Sequence, residues 1–260
     1  DDKKAVARDP SALEKYRTML AEQIQYFKVT QYFFFKQWTE LKNYANQKGI
    51  QIIGDMPIYV AADSVEVWTK PELFQLDEER NPLFVAGVPA DQFSATGQLW
   101  GNPLYAWEEH KKQGYAWWIH RIEESFKIYD VLRIDHFKGF SDYWQVDGKA
   151  EVAKDGSWQP GPGYDLFKAV KEQLGDLPII AEDLGNIDDK ARKLLTDCNY
   201  PGMKILQFGF EDVSGESLDS PHYCIPHSIV YTGTHDNDVT NGWYSGLTDQ
   251  QQQYINDYTH

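Results

Sequence analysis

Short apolar runs, each closing on or beside an acidic residue, alternate along this chain with longer stretches in which apolar residues return every three or four positions. The longer stretches read as helices. One covers residues 11–28 behind the turn-like Asp9-Pro10, and a second covers 31–47 and stops at Lys48-Gly49 in the manner of a glycine cap. Residues 105–129, with Trp107, Ile119, Ile122 and Phe126 on one stripe, predict a third, and 164–174 and 188–196 two more. The short runs read as buried strands: one beginning at Ile50-Gln51-Ile52-Ile53 and stopped by Gly54-Asp55-Met56-Pro57, then 131–134, 177–181, 203–208 and 228–232.

Strands alternating with helices predict parallel βαβ units and an α/β fold. In an α/β barrel the C-terminal strand ends meet on one face. Asp55, Asp135, Glu182 and Asp236, each just past a strand, would then converge despite their separation in sequence. A doubly wound open sheet is the competing architecture, but no glycine-rich phosphate loop follows the first strand. Residues 63–105, rich in turn signals such as Asn81-Pro82, Thr96-Gly97 and Gly101-Asn102-Pro103, are too long for a βα loop and predict a functional insertion. Residues 147–163 form a second polar, glycine-rich excursion.

Composition narrows the partners. A formal net charge of −15 over 260 residues argues against nucleic acid, whose binding needs a basic surface. No apolar run reaches the roughly 18 to 20 residues of a membrane-spanning helix, and the opening Asp1-Asp2-Lys3-Lys4 has no apolar signal core. No membrane partner and a cytoplasmic location are therefore expected, with a plastid-targeted parent as the alternative. Cys198 and Cys224 lack metal-site spacing and are expected as free thiols. Aromatics make up 15% of the chain, and flat rings suit the CH faces of sugars as well as a core.

Four carboxylates beside Arg133, His136 and His235 are consistent with either acid/base chemistry or a divalent metal site, and spacing does not choose. No HExxH, EF-hand loop or cysteine cluster is present, leaving His235-Asp236-Asn237-Asp238 as a weak hard-cation candidate. Any one of these acids alone reads more readily as a helix cap or a solvated loop charge, and it is their repetition at strand ends that favours a functional reading.

Leu132-Arg133-Ile134-Asp135-His136-Phe137-Lys138-Gly139-Phe140, Ile180-Ala181-Glu182-Asp183-Leu184-Gly185 and Tyr231-Thr232-Gly233-Thr234-His235-Asp236-Asn237-Asp238 resemble three strand-end motifs of the 4-alpha-glucanotransferases, or amylomaltases. Gly54-Asp55-Met56-Pro57-Ile58-Tyr59-Val60, Pro201-Gly202-Met203-Lys204 and the segment 95–105 resemble further family signatures, in the same order. The wider alpha-amylase clan shares the Arg-x-Asp, Glu and His-Asp elements but usually carries Asn-His where Asp55-Met56-Pro57 stands.

The resemblance implies an incomplete (β/α)8 barrel comprising about strands three to seven, with the 63–105 insertion after strand three, all within one catalytic domain over 1–260. It implies Asp135 as nucleophile, Glu182 as acid/base and Asp236 as the third catalytic carboxylate in a retaining double displacement. Arg133, placed two residues before Asp135, is expected to lower the Asp135 pKa. Asp236 and His235 would hold the transferred sugar, His136 would touch the same sugar or support the nucleophile, and Asp55 would orient the donor. Tyr59 and Trp100 resemble stacking platforms; Asn102 and Phe208 complete the implied substrate contacts. No cofactor and no metal are implied. The implied partners are a maltodextrin or alpha-1,4-glucan donor and a glucose or maltooligosaccharide acceptor. An open five-stranded sheet would also invite self-association. An inactive or carbohydrate-binding module and an amylase-like hydrolase are the competing readings.

Overall fold

The computed structural model describes residues 2–90, 94–185 and 187–259. Helices α1 (Lys3–Val6) and α2 (Pro10–Met19) lead into the 27-residue α3 (Ala21–Gln47). The expected break near residue 30 falls instead at Leu20. Thr30 is accommodated within the helix, its hydroxyl donating back to the Tyr26 carbonyl at 2.9 Å, one turn earlier. Trp38 Nε1 donates to the Ile128 carbonyl and Lys42 Nζ to that of Tyr129, both at 2.8 Å, and these bonds tie α3 to the body. Its Tyr26, Phe27, Tyr32, Phe33, Phe34 and Phe35 remain exposed.

Nine strands lie among the described residues: β1 (Ile53–Met56), β2 (Phe84–Val88), β3 (Gln98–Pro103), β4 (Val131–Ile134), β5 (Asp142–Asp147), β6 (Ser157–Pro160), β7 (Ile179–Ala181), β8 (Gly202–Ile205) and β9 (Ser228–Tyr231). Five of them are the expected parallel strands, except that the first runs over Ile53–Met56 instead of beginning at Ile50 and stopping at Gly54, so Asp55 lies within β1 and not past its end. They pair in chain order as β1-β4-β7 and β8-β9, and the Ala181 amide donates to the Pro201 carbonyl at 3.0 Å where β7 meets β8. The other four form an antiparallel sheet in the order β3-β2-β5-β6. That sheet takes two strands from the 63–105 stretch and two from the 142–160 region, so the second excursion is strand-bearing. Residues 91–93 of the first stretch lie outside the described residues.

The intervening helices are α4 (Val65–Thr69), α5 (Trp107–Lys112), α6 (Ala116–Ile128), α7 (Tyr164–Leu174), α8 (Asp189–Cys198), α9 (Leu206–Glu211), α10 (Thr240–Gly246) and α11 (Asp249–Thr259). The helix expected over 105–129 is two. Gly114 and Tyr115 both adopt positive φ, 61° and 57°, which breaks the repeating helical hydrogen bonds between α5 and α6. The strand expected over 203–208 ends at Ile205, where the chain turns into α9.

Short apolar strands suit this architecture because one sheet face is covered by helices and the other is apolar over β7 and β8, while Ile53 of β1 and Val230 of β9 stay exposed. Leu132 and Ile134 of β4 pack with Ile179 and Ala181 against Trp118, Ile119 and Ile122 of α6 and Leu166, Phe167 and Val170 of α7. On the opposite face Ile180, Met203 and Ile205 form their own cluster with Val131, Leu184, Ile229 and Tyr231. β1 contains Gly54 for a steric reason: a Cβ there would lie 2.0 Å from the Tyr129 ring. Both cysteines are free. No helix among the described residues is long and apolar enough to cross a membrane.

Candidate active site

The register of the parallel strands assembles the site. Asp55 pairs with Arg133 across β1 and β4, and Arg133 with Ile180 across β4 and β7, so their side chains share one sheet face. Arg133 is buried there. Its Nη1 donates to Asp55 Oδ1 and Oδ2 at 2.6 and 2.7 Å and to Asp135 Oδ1 at 3.0 Å, while its Nε lies 3.3 Å from Met203 Sδ. One guanidinium thus links a carboxylate within β1 to one just past β4. Such charge-assisted bonds offset part of the cost of burying the cation.

Asp135 follows β4 directly, and its amide donates to the Met56 carbonyl at 3.0 Å, which continues the β1-β4 pairing beyond both strands. Glu182 stands at the equivalent place after β7, its amide on the Ile134 carbonyl at 3.0 Å. The two acids are therefore neighbours across adjacent strand ends. The chain turns sharply after Asp135: His136 has φ 49° and ψ 51°, a left-handed conformation that few side-chain-bearing residues adopt, and Phe137–Phe140 form a single 3-10 turn. At the start of this turn the His136 amide donates to Glu182 Oε2 at 2.8 Å, while the Leu184 amide donates to Oε1 at 2.8 Å.

Burial pushes the Glu182 carboxyl above its usual range; the Leu184 amide opposes the rise, the Asp135 charge adds to it, and the His136 amide and Arg133 oppose it. Burial also raises Asp135, against the pull of Arg133 and with the charges of Asp55 and Asp236 adding to the rise. The expectation that Arg133 would leave Asp135 with a lowered pKa is therefore corrected. Arg133 acts in the expected direction, but it is shared with Asp55 and is outweighed by burial. The His136 ring is lowered to about 4, by burial first and then by the Lys138 charge, and is neutral near pH 7.

Asp236 lies on the loop after β9, exposed, with its charge felt at Asp135. His235 Nε2 is 3.4 Å from Asp236 Oδ2. The 235–238 run is ordered as a turn and not as a cation cage: Asn237 Oδ1 accepts from the Thr234 amide at 2.8 Å and from its hydroxyl at 3.1 Å. The grouping with metal-ligand spacing among the described residues is His120, Glu123 and Glu124 on α6, all exposed, where Glu124 already pairs with Lys127.

The aromatic residues divide. Trp100 on β3 is partly exposed and meets the His136 ring edge-on at 4.9 Å, which brings the antiparallel sheet to the carboxylates. Tyr59 is only 7% exposed, and its ring stacks on Tyr105 at 5.9 Å. A free stacking platform at Tyr59 is therefore corrected by packing, because Tyr105 occupies a face that a sugar would need. Asn102 donates from Nδ2 to the Val60 carbonyl at 3.0 Å and braces β3 against the loop after β1. Phe208 projects from α9, past the end of β8, and is 37% exposed.

Sequence reasoning missed the two backbone donors on Glu182, because an amide leaves no trace in residue type. It also missed Met203 behind Arg133, and Asp183, whose Oδ1 accepts the Met203 amide at 2.7 Å. Gln207, buried behind the Asp236 loop, was passed over as part of an apolar strand.

The family model for 4-alpha-glucanotransferases (glycoside hydrolase family 77) matches residues 2–260. The chain belongs to the 4-alpha-glucanotransferase family. It is 54% identical over 259 residues to the 4-alpha-glucanotransferase of Streptococcus pneumoniae, covering 99% of this chain and 51% of that protein. The 4-alpha-glucanotransferase of Clostridium butyricum is 48% identical over 253 residues, covering 95% and 51%. Amylomaltase from Streptococcus agalactiae, solved in complex with acarbose, superposes with a TM-score of 0.97 at 60% identity, over 99% of this chain and 52% of that one. The chain thus spans about half the length of the curated 4-alpha-glucanotransferases it matches.

Proposed function

We propose that this chain carries the catalytic centre of a 4-alpha-glucanotransferase that moves alpha-1,4-glucan segments between maltodextrins with retention. The observation that carries the reading is the pairing of Asp135 and Glu182 on adjacent strand ends, one held by a guanidinium and the other by two backbone amides. Retaining enzymes hold their two carboxyl groups about 5 to 5.5 Å apart, and neighbouring parallel strands, about 4.8 Å apart, suit that separation.

Asp135 attacks the anomeric carbon as the glycosidic C–O bond breaks, and Glu182 gives its proton to the departing oxygen. An acceptor hydroxyl then gives its proton back to the Glu182 carboxylate and displaces Asp135 from the same carbon. The raised Glu182 supports this role, since a general acid must still hold its proton near working pH. Asp236 and His235 hold hydroxyls of the transferred sugar, Asp55 orients the donor through Arg133, and His136 presents a neutral ring beside it. Trp100 offers an aromatic face near the acceptor, and Tyr59, Asn102 and Phe208 shape the surrounding walls. The chemistry needs no metal and no cofactor. Exclusion of water by the 63–105 insertion favours an acceptor sugar over hydrolysis.

The five parallel strands are read as strands three to seven of a (β/α)8 barrel, within one catalytic domain. The exposed aromatics of α3 fit a fold whose remaining strands lie in the half of the relatives' length outside this match, and in isolation they favour self-association. A cytoplasmic location, or a plastid for a targeted parent, completes the reading.

Incubation with maltotriose tests it, using both these 260 residues and a protein completed to the relatives' length. Release of glucose together with longer maltooligosaccharides, abolished by Asp135→Asn, is the expected result. New reducing ends without chain redistribution would replace transfer by hydrolysis, and a completed protein with neither activity would leave only a binding module.

A further inference from the structure

We propose that Gln207 is a positioning residue that holds the Asp236 loop in register with Asp135 and Glu182. The inference rests on the glucan-transfer reading of the site. Asp236 sits on an exposed turn, its side chain 71% accessible, so contacts within the turn's outer surface do little to fix its place. Two side chains, Asn237 and Gln207, hold the turn. Asn237 closes it onto Thr234, and Gln207 Nε2 donates to the Asp238 carbonyl at 2.9 Å.

Gln207 is suited to anchor an exposed turn because it is itself buried. It is 3% exposed in the first turn of α9, and its own amide donates to the Thr232 carbonyl at 3.2 Å. The other end of the loop lies against the same side chain. A Cβ at Gly233 would stand 2.9 Å from Gln207 Nε2, 3.1 Å from its Cδ and 3.2 Å from the Asn237 Cβ, so glycine is what lets the backbone close onto the amide. One buried carboxamide therefore contacts the loop at residue 233 and at residue 238, with His235 and Asp236 between. Displacing a catalytic group by about 1 Å can cost on the order of a hundredfold in rate.

Gln207→Met keeps the length of the side chain and removes the donor. Amide exchange of residues 234–238, followed by mass spectrometry in this chain, is expected to quicken by up to about tenfold with the melting temperature unchanged, the loss of one hydrogen bond. In the completed enzyme kcat on maltotriose, normalised to titrated active sites, is expected to fall roughly 10- to 100-fold. The acidic limb of kcat/KM is expected to move to lower pH, because an Asp236 charge no longer held near Asp135 raises it less, while Arg133, Asp55 and Glu182 stay in place. Unchanged exchange overturns the proposal. So does faster exchange with kcat and the acidic limb intact, which would make Gln207 a loop brace that does not serve Asp236. A completed wild-type protein that fails to redistribute maltotriose sinks the functional reading, and the exchange result then still decides whether Gln207 holds the loop.

Discussion

The His136 amide points at Oε2 of Glu182 across 2.8 Å, and residue 136 itself takes a left-handed conformation that turns the chain away just beyond this bond. The Glu182 carboxylate is thus held by backbone one residue beyond Asp135. It does not depend on the histidine ring for this bond.

Substitutions at 136 should separate according to backbone preference. Asparagine tolerates φ near 49°, whereas a β-branched residue pays roughly 1–2 kcal/mol there. His136→Asn is expected to keep the Glu182 bond and a measurable fraction of transfer; His136→Val is expected to lose it, with a lower melting temperature and a far lower kcat. Equal loss in both variants, measured by maltotriose kinetics and thermal melting, would assign the role to the ring instead.

Asp55→Asn should shift the pH profile in a defined direction. The Asp55 charge raises Asp135 directly, and Asp55 also occupies Arg133, which otherwise lowers Asp135. Removing that charge acts twice in the same sense. Asp135 then ionises at lower pH, so the acidic limb of kcat/KM is expected to move down, measured on maltotriose in the completed enzyme. Donor binding is expected to weaken at the same time and appear as a higher KM. An acidic limb that rises or stays would contradict the shared guanidinium.

Gly54→Ala isolates the packing under β1. The added methyl would stand 2.0 Å from the Tyr129 ring, so strand or ring must shift, at about 1–3 kcal/mol for overpacking. Lower resistance to urea is expected, partly restored by Tyr129→Ala in the double variant. Because Asp55 is the next residue, activity should fall further than stability alone explains. A variant as stable as the parent would refute this account of the glycine.

Several features were legible in the chain before any coordinates. The five parallel strands, most of their helices and the placing of Asp135 and Glu182 at strand ends follow from periodicity, because buried strands must be short and apolar and their flanking acids polar; Asp55 instead lies inside β1, a strand that takes up the glycine and the acid read as its stop. Errors clustered where local and tertiary preferences compete. Residues 203–208 are apolar enough for a strand throughout, but the chain leaves the sheet after Ile205 and Gln207 turns inward to the Asp236 loop. Residues 105–129 carry one helical stripe, yet Gly114 and Tyr115 break it so that α5 and α6 can pack separately on the core.

What residue type determined by itself was the inventory of the site: an aspartate with an arginine two positions before it, a glutamate on the next strand, and a histidine-aspartate pair on a later loop. Only the tertiary structure decided how those groups are charged and held. Arg133 divides between Asp55 and Asp135, burial outweighs it at Asp135, and two backbone amides grip Glu182. Those outcomes depend on strand register and on left-handed turns, which set distances of a few ångströms between residues far apart in sequence. Electrostatic and hydrogen-bond energies are decided at that scale, and spacing along a chain does not encode it.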